Sequence, residues 1–172
     1  SSQNKLINEV KVSSDKILNN KLLKTVDQCY KKAPYYNYVY PLIEEIISFD
    51  EETLSLYLAN LTKKITLYLE IDTELTLSYD IPKDNSLKGQ DKIIDICKIL
   101  HCSEYYNAIG GKSLYSSENF SSNGIMLKFL KTDTIKYKQF DNEFVSNLSI
   151  IDVMMFNSKD RVKEMLECYT LE

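Results

Sequence analysis

The side chain hardest to explain as packing is Asp152, which interrupts the apolar run Leu148-Ser-Ile-Ile-Asp-Val-Met-Met-Phe156. A buried carboxylate costs several kcal/mol unless it is paired or hydrogen-bonded. It is therefore a candidate orienting or basic group, or else a structural carboxylate that caps a neighbouring loop. Tyr137-Lys-Gln139-Phe140, followed by Asn142-Glu-Phe144, collects rings and amides in one loop. Flat apolar faces beside amide donors suit sugars and bases, which makes Tyr137 and Gln139 stacking and hydrogen-bonding candidates; aromatic packing is the plain alternative.

A second set of candidates concerns anions. Asn107-Ala-Ile-Gly-Gly-Lys112 contains the only glycine pair in the chain. If it follows a strand, the backbone of Gly110 and Gly111 can approach an anionic group, with Asn107 alongside and Lys112 as counter-charge. The alternative is a tight turn that needs positive φ. Neither G-x-G-x-x-G nor G-x-x-x-x-G-K-[ST] occurs, which counts against a standard dinucleotide site or P-loop. Lys88-Gly89 is expected to open a helix whose free amides favour an anion, so Lys88 joins this group, against the reading of a solvated lysine.

Other combinations point less far. Glu70, Asp72 and Glu74 alternate, and on an extended segment they would share a face able to bind a cation or do acid/base work, or would simply form a solvated edge. Cys97, His101 and Cys102 supply nitrogen and sulfur without a fourth partner at ligand spacing, so no metal is assigned, and no cofactor is implied. His101 is the sole histidine, so no serine, histidine and aspartate arrangement is assigned and no catalytic nucleophile is identified.

The elements that must position these residues follow from periodicity. Leu6 to Val12 reads as a short strand, with Ser13, Ser14 and Asp15 as caps for a helix carrying Leu18, Leu22, Val26 and Cys29. Val39 to Ile47 suggests a second helix with Pro41 tolerated only near its first turn. Asp50 is expected to cap a third helix over 51–70 that buries Leu54, Leu58, Leu61, Ile65 and Leu69. The period then changes. Residues 74–78, 105–108, 125–130 and 135–140 read as strands, with helices at 90–101, near Ser117, at 148–156 and from Ser158 onward. Alternating strands and helices predict an α/β fold, a layered and mostly parallel sheet with flanking helices and a helical segment at 14–70. The helix at 90–101 would cross between strands 74–78 and 105–108, and ligands would gather at the strand ends.

Composition sets the outer limits. The chain has 172 residues, enough for one domain, and 44% hydrophobic with 27% charged residues excludes intrinsic disorder. Twenty-one basic against 25 acidic side chains give a net charge of -4 and no basic stripe, which disfavours nucleic acid as a partner. No apolar run reaches the ~20 residues of a membrane span, so no membrane insertion is expected. The four cysteines are scattered without a C-x-x-C pair, which fits reduced thiols in a cytoplasm.

Five ordered segments, taken together, resemble the WbqC-like protein family. They are Lys24 to Tyr36, Ile94 to Lys98, Asn107 to Lys112 with Leu114-Tyr115, Tyr137 to Phe140, and Leu148 to Val153 with Met155 to Ser158. The resemblance runs over nearly the whole chain as one domain, with a helical subregion about 14–70 and an α/β subregion about 72–172. It implies a cytoplasmic role in bacterial surface-polysaccharide (O-antigen) biosynthesis, with acyl or aminoacyl transfer to a nucleotide-linked amino sugar as the transferase activity consistent with that setting. A non-catalytic binding or scaffold protein of a glycan pathway is the alternative. The implied partner is a small-molecule substrate such as a nucleotide sugar. Family sequences open with a strand and a His-Gln-Pro motif absent from these residues. The resemblance thus leads us to expect a longer parent protein, and an exposed strand edge that invites a homo-oligomer.

Overall fold

The computed structural model describes residues 5–13, 15–141 and 143–172. Ser14 and Asn142, named above, lie outside the described residues. The fold is mixed α/β, and the chain forms two compact units. The first comprises the chain up to Leu75 together with Ile135–Leu166, and the second comprises Thr76–Thr134 with Glu167–Glu172.

The first unit is helical. α1 spans Lys16–Tyr30, and Asp15 caps it by accepting the Ile17 amide at 2.8 Å. α2 spans Tyr36–Ile47 and α3 spans Leu54–Tyr68. After the second unit the chain returns to form α6, Ile150–Phe156, and α7, Lys159–Leu166. Leu23, Val39, Ile43, Leu69, Met154 and Val162 meet in its core. Each is an apolar residue at helical spacing, and removing such area from water stabilises by roughly 25 cal/mol per Å².

Several local expectations change here. Pro41 lies just past the first turn of α2, as its sixth residue; it and Asn37 are exposed, so the carbonyl that loses its helical donor can meet water. Residues 6–12 do not form a strand. Ile7–Glu9 closes a 3-10 turn, tied by the Glu9 carboxylate accepting the Leu6 amide, and only Lys11 bridges to Thr53. Thr53 stands at the α3 cap where Asp50 was expected. Of the apolar face expected for α3, only Leu69, just past its end, is fully buried, while Leu58 is exposed. The helix buries Ser55 instead.

The second unit carries the sheet. α4 spans Gly89–Ile99, β1 Glu104–Ala108, α5 Ser117–Ser122, β2 Met126–Thr132 and β3 Tyr169–Leu171. β2 is central, parallel to β1 and antiparallel to β3, with Glu104 opposite Met126 and Thr132 opposite Tyr169. The sheet is thus open and mixed. Residues 74–78 form no strand: the segment alternates, but it is largely exposed and finds no ladder partner. The parallel crossover therefore runs from β1 through α5 to β2 rather than through α4. Ile94, Cys97, Phe120 and Ile125 form the core of this unit. Among the described residues no helix is long and apolar enough to cross a membrane.

Candidate functional site

α6 begins where Ser149 Oγ accepts the Ile151 amide, and this cap sets Asp152 in the first helical turn. The residue is 4% exposed. Three neutral donors converge on it. Tyr30, the last residue of α1, donates to Oδ1 at 3.0 Å, and Tyr137 donates to Oδ2 at 2.6 Å. Gln139 Nε2 also donates to Oδ2, at 2.9 Å. The segment expected to be a strand at 135–140 is irregular for a related reason: its polar side chains bond to Asp152 and to a loop instead of presenting a backbone ladder. Gln139 Oε1 accepts the Val145 amide at 2.8 Å while Nε2 donates to the Val145 carbonyl at 3.0 Å, so one side chain closes the loop as a neighbouring strand would.

The phenols are held in their protonated, donating form. Burial, and then the hydrogen bond to Asp152, push Tyr137 up to about 12, with Gln139 opposing. The same two causes raise Tyr30 further. Rings pack around them: Phe144 stands edge-on to Tyr137 at 5.2 Å, and Phe156 meets Tyr30 at 6.2 Å and Phe140 at 4.7 Å. Beside this cluster lies a cleft of about 200 Å³ lined in part by Cys29, Tyr30, Gln139, Glu143 and Asp152. The arrangement can orient a polar ligand or accept its proton at Asp152.

The anion candidates Lys88, Asn107, Gly110, Gly111 and Lys112 lie in the other unit. Lys88 is exposed and caps α4 with extended backbone, without a side-chain bond to the helix. Gly110 and Gly111 fall in a 3-10 helix, Ile109–Leu114, that follows β1. The expectation of positive φ at the pair is not met; Gly89 and Gly124 are the glycines that adopt it, at 52° and 74°. Gly111 is closely approached instead: a Cβ there would stand 2.8 Å from Asn107 Nδ2, the movable end of a side chain. Lys112 pairs with the Glu172 carboxylate at 2.8 Å, and Lys131 approaches the other oxygen at 3.6 Å.

The structure brings Tyr137, Gln139 and Asp152 together in one unit; the anion candidates belong to the other, with Lys88 at the start of α4 and Asn107, Gly110, Gly111 and Lys112 at and after the end of β1. Glu70, Asp72 and Glu74 do not share a strand face. Glu70 takes a left-handed conformation just past α3 and pairs with Lys159 at 2.9 Å and Lys163 at 3.1 Å. Cys97 is a core residue. Sequence reasoning did not single out Tyr30, although it lies inside the segment Lys24 to Tyr36, and that was the signal available.

Residues 1–164 match the model of the WbqC-like protein family. No curated protein and no solved structure matches the chain.

Proposed function

The chain belongs to the WbqC-like protein family, and from that premise we propose that it acts in bacterial surface-polysaccharide (O-antigen) biosynthesis, in the cytoplasm, on an activated sugar precursor. The observation that carries the reading is a 4% exposed carboxylate, Asp152, held by three side chains at the edge of a cleft. The reaction proposed is acyl or aminoacyl transfer to the amine of a nucleotide-linked amino sugar. In such a transfer the amine nitrogen bonds to the acyl carbon, the bond from that carbon to its carrier breaks with the electron pair leaving on the carrier, and the nitrogen gives up a proton. Asp152 is the group able to orient the amine or take that proton. Tyr137 and Gln139 fix the carboxylate; Lys88, Asn107, Gly110, Gly111 and Lys112 are proposed separately, as anion-binding residues within the second unit.

One observation favours a second reading. All three donors to Asp152 come from the protein itself, as they would around a structural carboxylate, and this supports a non-catalytic binding or scaffold role. A thermal-shift series with nucleotide-linked amino sugars separates the two. A substrate at ~100 times its dissociation constant adds roughly 2.7 kcal/mol of stability and raises the melting temperature by several degrees. If none of the sugars stabilises the chain, the scaffold reading replaces the enzymatic one.

A further inference from the structure

The cleft beside Asp152 has a one-sided chemistry. The charged side chains that line it, Asp152 and Glu143, are both carboxylates, and among the described residues no lysine or arginine lines it. Its apolar walls are the rings of Tyr30, Phe140 and Phe156. The hydrogen bonds to Asp152 are also unequal. Among the described residues, Oδ2 receives Tyr137 and Gln139, while Oδ1 receives Tyr30. A carboxylate oxygen can accept two such bonds, so Oδ1 keeps an acceptor position. Neutral donors orient the charge of Asp152 without cancelling it, and ring faces attract cations.

We propose that this cleft binds a primary ammonium group on a short carbon frame, with one N–H donated to Asp152 Oδ1, the rings of Tyr30, Phe140 and Phe156 around it and Glu143 at the rim. The volume of about 200 Å³ is below the ~300 to 1,000 Å³ of sites for drug-sized ligands, which limits the frame to a single small ring or a short chain. The inference rests on reading this cleft as the substrate site, and it specifies which end of the substrate enters.

The test is a chemical-shift titration of the full chain with glucosamine and with N-acetylglucosamine, which keeps the ring and removes the charge. Glucosamine is expected to shift the amides of Val145 and Asp152 in a saturable way, with the N-acetyl compound at least tenfold weaker. Glu143→Gln, at an exposed position, is expected to weaken the amine severalfold and leave the response to the N-acetyl compound unchanged. Equal binding of the two sugars, no response to the amine, or unchanged amine affinity in Glu143→Gln would each overturn the assignment. If nucleotide sugars stabilise the chain while the two probes bind alike, the ammonium site falls and the biosynthetic reading stands. Selective amine binding without any nucleotide-sugar stabilisation gives the reverse.

Discussion

The Asp152 cluster and the turn from Asn107 to Lys112 both place a charged side chain next to an amide in a segment of the kind that often binds ligands, yet their physical settings are opposite. Asp152 is almost fully buried and its partners are neutral; Lys112 is exposed, its partner is a second exposed charge, and water screens both. Burial makes a polar group costly to leave unmet, so a buried cluster has one workable arrangement and holds it. An exposed ion pair is one of several arrangements of similar free energy. A preorganised site therefore belongs to the first setting, and the second suits a contact that forms when a ligand arrives.

Mutations can break or sharpen this contrast. The largest effect is expected from Asp152→Ala, which leaves two half-buried phenols without their carboxylate acceptor and takes from Gln139 one of its bonds. Urea denaturation should show a loss of about 3 kcal/mol or more, and a loss under ~1 kcal/mol would mean that the cluster is not preorganised. Tyr137→Phe removes the 2.6 Å bond to Asp152 and the 3.5 Å bond accepted from Gln139, and is expected to cost about 1 to 2 kcal/mol.

The same phenol gives the cluster a pH signature. Its folded value of about 12 lies above the ordinary 10, so folding favours the protonated form. That contribution is complete below pH 10 and is lost as pH rises from 10 toward 12. Denaturation midpoints measured across this window should fall for the native chain and fall less for Tyr137→Phe.

Gly111→Ala places a methyl group against the Asn107 amide, the movable end of a side chain, and should cost about 1 kcal/mol. Lys112→Ala is expected to be the mildest. At moderate salt its denaturation curve should overlay that of the native chain, and a resolvable loss would show that the turn is more tightly organised than its exposure implies.

How far the sequence revealed all this depended on range. The Asp15 cap and the Ser158 cap of α7 were legible because a cap acts over two or three residues. So was the oddity of Asp152, a charge inside an apolar run. β3 was not legible, because a three-residue strand has too little pattern to register. Residues 74–78 misled for the converse reason: alternation states that a strand could form, and only a partner decides that it does. At the candidate site, Tyr137 and Gln139 lay close enough to Asp152 to be read with it. Tyr30 lies 122 positions away, and no local rule reaches that far. Likewise Gln139 announced itself as a polar ligand-binder, whereas much of its capacity is spent on closing a loop with Val145.

The first unit is interrupted in the chain by the second, and this has a consequence during synthesis. At ~5 to 20 residues added per second, Asp152 follows Tyr30 out of the ribosome by roughly 6 to 24 seconds. For that interval the apolar faces of α1 and α2 lack Met154, Met155 and Val162, and the residues of the first two strands are made before these partners arrive. The nascent protein therefore has a time-limited vulnerability. Slow translation between α3 and α6 should increase aggregation or the demand for a chaperone, and the arrival of the two short helices α6 and α7 should end it.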